Sequence, residues 1–378
     1  MHYRIFSTAD TYINSGSNLI TGETFKDQNF GRDEILELKK VYVNNDFGYQ
    51  TRVLINFQGP DFSEISQSIV NKTITSPKFK LRLFEANGTT DVSTNYSLGA
   101  YPISSSWDEG IGRTSDSPKT TTGCSWENRS YYAGASPVTW SHDDGLARHG
   151  VYFYTGSGYE ASQSFTYASP DVDMDVTDIV NRWLEGSNNN GFLVKFSGSH
   201  EEAALSDGTI TTGDLRFFSG QTNTIYAPVL EVQWDDHLPA TGSNTGSLLP
   251  VTMSGLNDMI VTMKGLRESY RDTERVKFRV QARPRHIQKT FTTSVQTLTG
   301  SFIPEGSGSY SIVDVATNET VVPFSPYTSM SCDDTGNYFI QWMNGFYPNR
   351  KYKIQYKLNF DDNQEAIYDD GFEFIVRQ

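Results

Sequence analysis

The sequence predicts an all-β protein of two consecutive domains, the first with one short covering helix and the second an immunoglobulin-like sandwich. Three observations carry that expectation. Short β-branched or aromatic runs bounded by turn residues recur along the whole chain. A length of 378 residues suits about two domains, each with its own core. Aromatic residues make up 13% of the chain, enough to fill two cores despite the abundant Gly, Ser and Asn.

The strands can be taken in order. Residues 52–57 (RVLINF), 78–84 (KFKLRLF), 191–196 (GFLVKF) and 228–234 (PVLEVQW) are the clearest in the first half. In the second of these, Phe79, Leu81 and Leu83 alternate with Lys78, Lys80 and Arg82, which gives one buried and one wet face. Before residue 240 only residues 176–185 read as a helix. Asp175 or Thr177 can cap its start, Ile179, Val180, Trp183 and Leu184 form its apolar stripe, and Gly186 stops it. Residues 239–247 (PATGSNTGS) read as a linker, because they are small, polar and aperiodic. Beyond them, residues 275–280, 310–315, 338–342, 352–358 and 372–376 are regularly spaced short strands, as in an immunoglobulin-like sandwich. The expected boundaries are therefore 1–238 for the first domain, 239–250 for the linker and 251–378 for the second domain.

The formal net charge is -14, from 45 acidic and 31 basic residues. It is unevenly placed: residues 1–238 hold 30 acidic and 17 basic residues, a net of -13, and residues 239–378 hold 15 and 14, a net of -1. An acidic surface argues against coating nucleic acid by bulk charge. No apolar run approaches the roughly 20 residues that span a bilayer, so no membrane partner is expected. Residues 1–10 show no basic-then-apolar leader pattern. Cys124 and Cys332 are the only two cysteines, which fits folding in a reducing cytoplasm. The sequons at Asn71, Asn87, Asn95, Asn128 and Asn318 then reflect polar loops rather than glycans.

Six segments of the first region occur in an order that resembles the DNRLRE-type jelly-roll domain, a relative of carbohydrate-binding modules. They are ADTYI at 9–13 with NFG at 29–31, RVLINF at 52–57 with the strand at 79–84, WDEG at 107–110 with VTW at 138–140, DVTDIVNRW at 175–183, NGFLVK at 190–195 and PVLEVQW at 228–234. The resemblance covers about 230 residues and implies the jelly-roll fold. The long insertion around 113–135, and Ala227 where the family carries a basic or polar residue, depart from it. In the second region, residues 273–284 (TERVKFRVQARP) with 289–291 (KTF) and 370–376 (DGFEFIV) resemble segments of tailed-phage virion structural proteins.

Candidate chemistry is sparse. Asp171, Asp173 and Asp175, followed by Asp178, have the alternate spacing that can wrap a Ca²⁺ with oxygen ligands. A strand edge running into a helix start accounts for the same pattern. Calcium is the only cofactor the sequence admits. His142, Asp143, Asp144, Arg148 and His149 can be drawn as a catalytic cluster or as an exposed turn. No nucleophile motif or zinc spacing accompanies them, so no enzyme is expected. Trp126, Tyr131, Tyr132, Tyr152, Tyr154 and Tyr159 crowd the middle of the first region, and a sugar face, a protein interface and core packing each explain such rings. Residues 264–289 carry nine basic and three acidic residues. Within them Arg275, Lys277 and Arg279 share one strand face, with Arg283 and Arg285 beyond. That stripe reads either as a solvated edge or as a docking surface for an acidic partner; nucleic acid is disfavoured, because no exposed aromatics interleave with it.

Together these features point to a non-enzymatic virion structural protein of a tailed phage, made in the bacterial cytoplasm. It would assemble with further copies and other virion proteins on the neck, tail or capsid surface. The alternative is a carbohydrate-binding or receptor-binding appendage that attaches to host surface glycans.

Overall fold

A computed structural model describes residues 1–17, 22–43, 46–87, 95–140, 150–166, 171–197, 201, 213–253, 259–286, 299–360 and 363–378. The fold is all-β. The chain divides into two compact units, one of residues Ile5–Thr73 and Lys78–Val232, the other of Met1–Arg4, Ile74–Pro77 and Gln233–Gln378. The division falls at Val232 rather than residue 238, and two short early segments group with the second unit.

A four-stranded sheet runs in the order His2–Phe6, Val229–Gln233, Lys78–Leu83, Val172–Asp175; it belongs to the first unit apart from the strand-end residues His2–Arg4 and Gln233, which group with the second. A seven-stranded sheet runs Gly213–Phe218, Ile35–Val43, Asp46–Asn56, Phe192–Phe196, Asn95–Pro102, Ala161–Thr166, with Ala9–Asn14 paired to Asp46–Asn56. The alternation in Lys78–Leu83 survives folding: Phe79, Leu81 and Leu83 are buried and Lys78 is exposed. At one margin, Gln163 on Ala161–Thr166 accepts a hydrogen bond from the Asp173 amide and donates one to the Asp171 carbonyl. One side chain thereby joins the edge strands of the two sheets.

Two helices lie wholly among the described residues of the first unit, one more than the sequence suggests. The unforeseen one, α1, spans Pro60–Val70. Its face is thin, with Ile65 as its buried residue, and so its periodicity is weak. Gly59 followed by proline at the first helical position is a start signal. The foreseen helix, α2, spans Thr177–Leu184 and buries Ile179, Val180 and Trp183. The N-cap position is Val176 and has no side-chain cap, so neither expected residue caps the helix: Asp175, one residue earlier, accepts the Thr177 amide at 3.0 Å, and the Thr177 hydroxyl accepts the Phe79 amide of a neighbouring strand. Trp183 packs on Phe192 at 4.7 Å and edge-on to Phe62 of α1 at 6.4 Å.

The second unit has a four-stranded sheet, Met259–Lys264, Arg275–Pro284, Gly336–Trp342, Ser331–Asp333, and a five-stranded one, Ser269–Arg271, Glu365–Arg377, Lys351–Asn359, Gly308–Asp314, Thr320–Val322. Its core is largely aromatic: Tyr310 stacks on Phe339 at 3.8 Å, and Phe339 on Phe278 at 5.1 Å. The expected linker, 239–250, is not a free tether. Thr241 accepts the Asn244 and Thr245 amides, Glu305 accepts the Ala240 amide, and Leu249–Pro250 pairs with Ser301–Phe302. Its small polar residues make turns, which composition alone does not distinguish from a flexible chain.

Candidate functional site

Residues from several of the segments singled out in the sequence converge into two polar centres in the first unit. In one, the Asn29 amide donates to the Glu109 and Cys124 carbonyls at 2.7 and 2.8 Å, and its oxygen accepts the Gly31 and Gly112 amides. A side chain there must approach backbone closely; a Cβ on Gly112 would lie 2.3 Å from the Asn29 carbonyl oxygen. Next to it Asp10 donates its amide to Glu109 at 3.0 Å and accepts the Gly220 amide and the Ser7 hydroxyl. Burial raises the Asp10 and Glu109 pKa values, against the pull of these donors.

In the second centre Glu201 pairs with Arg52 at 2.8 Å and with Lys195. The Arg52 guanidinium lies over Trp126 at 5.0 Å, and the Lys195 ammonium lies 5.2 Å from the Tyr101 ring. Burial lowers the pKa of the neighbouring Lys40, which Glu201 raises and Lys195 lowers further. Arg52 and Lys195 stand in recognisable strand motifs. Glu201 stands in none, so its role is set by tertiary closure and has no sequence signal.

The candidate calcium ligands do not form a cage. Asp171 accepts the Glu85 amide, Asp173 pairs with Lys80 at 3.1 Å, and Asp175 holds the α2 entrance. Asp173 and Asp175 lie opposite Arg82 and Lys80 in the strand register. Among the described residues no group of three or more His, Cys, Asp and Glu is placed to hold a metal ion. The cluster around His142, Asp143, Asp144, Arg148 and His149 lies outside the described residues. Both cysteines are buried, and burial raises their thiol pKa values, that of Cys332 to about 11, which disfavours a nucleophilic thiolate.

The six aromatic candidates do not share one surface. Trp126 packs against a buried cluster that includes Leu54, Trp140 and Leu193. Tyr131 and the exposed Tyr132 follow the short strand Asn128–Ser130, which pairs with Val138–Thr139. Tyr152, Tyr154 and Tyr159 form a row with ring centroids 6.0 and 5.6 Å apart. Tyr154 and Tyr159 line a cleft of about 330 Å³ with Pro102, Trp183 and the turn after α2. The sequence did not bring Arg182 to this row. Its guanidinium lies 4.0 Å from the Tyr159 centroid and donates to the Gly158 and Ser157 carbonyls. This spot offers ring faces beside Ser187 and Asn188, which suits a flat ligand with polar edges.

Arg275, Lys277 and Arg279 lie on one face of their strand, and two of the three pair with a carboxylate. Asp333 receives both Arg279 nitrogens at 2.8 and 3.0 Å and the Lys277 ammonium at 2.8 Å. Burial opposes ionisation of Asp333, yet these donors and Thr335 outweigh it and hold its pKa well below the usual carboxylate range. Two rings absent from the sequence picture lie under the cations: Trp342 is 5.4 Å from the Arg275 guanidinium, and Tyr338 is 3.5 Å from the Lys277 ammonium. Arg283 bonds the Pro284 carbonyl, and Arg283 and Arg285 are both exposed.

No helix among the described residues is long and apolar enough to cross a membrane. No protein-family model matches this sequence, and no curated protein matches it either.

Proposed function

We propose that the chain is a non-enzymatic structural protein of a tailed-phage virion, made in the host cytoplasm and assembled in several copies on the neck, tail or capsid surface. The carrying observation is how its ionisable groups are placed. Glu201 is tied between Arg52 and Lys195, Asp314 is held by Arg350, and Asp333 by Arg279 and Lys277. Each tie joins different strands or loops and leaves the carboxylate engaged by cations, whereas catalysis gathers such groups around a cleft. The resemblance of residues 273–284 and 370–376 to virion segments supplies the setting. Mass spectrometry and immunogold labelling of purified particles test the reading: the chain should be present in fixed stoichiometry, and particles lacking it overturn the proposal.

A second reading is favoured by the Tyr154–Tyr159–Arg182 cleft, which fits a saccharide ring stacked on tyrosine. Under it the protein is retained on host surface polysaccharide and Tyr154→Ala releases it. Equal retention of wild type and variant removes this reading and leaves the structural one intact.

A further inference from the structure

The outer face of the four-stranded sheet in the second unit combines residues from all its strands. The register places Lys264 beside Arg279, Ile260 beside Arg283, Arg275 beside Trp342 and Arg279 beside Tyr338. Lys264, Arg275, Lys277, Arg279 and Arg283 thus share one face, on which the described strands place one carboxylate, Asp333, with Asp334 in the adjoining turn and Asp236 close enough to act on Tyr338. Lys277 and Arg279 are held by Asp333. Lys264, Arg275 and Arg283 are exposed and have no carboxylate partner among the described residues. A sheet face of this kind needs no such charge to stay soluble; mixed signs would serve.

We propose that this face docks a second copy of the chain through its acidic first region. The argument is charge complementarity. A face with an excess of cations meets a region, residues 1–238, whose net charge is -13. The contact joins different surfaces of the two copies, so it is head-to-tail and propagates into a ring or a row. Trp342 lies 5.4 Å from the Arg275 guanidinium, so that one free cation is already partly ordered, which lowers the ordering cost of the contact. The inference rests on the assembly reading above and names the surface that reading requires.

The test is sedimentation velocity of the full chain at about 50 mM and about 500 mM salt, where screening lengths differ severalfold. Wild type should self-associate at low salt and dissociate at high salt. A variant carrying Lys264→Glu, Arg275→Glu and Arg283→Glu should associate at least about tenfold more weakly while melting as the wild type does. These positions avoid the Asp333 ties; if charge reversal disturbs folding, the Lys264→Gln, Arg275→Gln, Arg283→Gln variant gives the same comparison. A multimer indifferent to both salt and substitution overturns this surface and leaves the assembly reading standing. A wild type that stays monomeric at low salt overturns it as well. If that monomer binds a single-stranded oligonucleotide and the variant does not, the face takes nucleic acid instead. Presence of the chain in purified particles decides the assembly reading separately.

Discussion

The two units use opposite interiors. The first holds much of its polar chemistry inside, in the Asn29 hub, the Asp10–Glu109 pair and the Glu201 centre. The second fills its interior with stacked rings from Phe278, Tyr310, Phe339 and Phe374 and carries its cations on an outer sheet face. The difference shows that net charge says little about where charge acts. The strongly acidic region has its most consequential cations buried, whereas the near-neutral region exposes a basic face. Buried polar groups specify geometry because they tolerate few arrangements; ring stacks stabilise by area and tolerate more.

The largest expected effect breaks the first interior. Glu201→Gln removes the carboxylate between Arg52 and Lys195 and should cost about 3–5 kcal/mol. Phe339→Ala in the second unit should cost a similar ~3–5 kcal/mol through a cavity. The contrast lies in rescue: Phe339→Leu should recover most of that loss, while Glu201→Asp, too short to span both cations, should not. Denaturant unfolding of the four variants checks this, and equal recovery in both pairs would show that the interiors do not differ in tolerance.

Acid should sharpen the comparison next, because the signs are opposite. Burial disfavours ionisation of Asp314, but Arg350 and the Ala316 and Thr317 amides outweigh it and hold its pKa below the ordinary 3.8. Its contribution is therefore fully present above that ordinary value and is lost as pH falls through the lowered one. Asp10 is the reverse: burial raises its pKa above 3.8, so its folded-state cost appears as pH rises from 3.8 through the raised value and is relieved on acidification. The stability of wild type relative to Asp314→Asn should shrink as pH falls, and that relative to Asp10→Asn should grow. Slopes of one sign for both variants would contradict this placement of the charges.

How much of this was legible follows from the range of each signal. Strand faces such as Phe79, Leu81 and Leu83 were readable because alternation is local. The α2 helix was readable because its apolar stripe and the Gly186 stop lie within a few residues, although its N-cap is Val176 rather than Asp175 or Thr177. The α1 helix was missed because Ile65 leaves almost no stripe, and residues 239–250 because turns and tethers share a composition. The landmarks around Asn29, Glu109 and Arg52 were visible as motifs, yet their partners lie about 80 to 150 residues away in sequence. The aromatic candidates split because tyrosine serves core and surface alike. The stripe at Arg275, Lys277 and Arg279 was legible in direction, while Asp333, contributed by another strand, was not.

The smallest effect tests whether the first unit owes its closure to single polar contacts as well as to buried centres. Gln163 is half-buried, and its amide accepts the Asp173 N–H at 2.8 Å and donates to the Asp171 carbonyl at 3.2 Å, linking the edge strands of the two sheets. Water can replace both bonds, so Gln163→Ala should cost only about 0.5–1.5 kcal/mol overall. The local effect should be larger than the global one. Hydrogen exchange at the Asp173 amide should accelerate, because fraying of an edge strand needs only that margin to open. Ser97 and Ser164, whose hydroxyls meet at 2.8 Å on the partner side of the same edge strand, provide the control. Ser164→Ala removes a contact within one sheet and should leave exchange at Asp173 unchanged. Acceleration by both variants would mean that the edge strand itself governs the margin; acceleration by Gln163→Ala alone assigns the closure to the side-chain bridge.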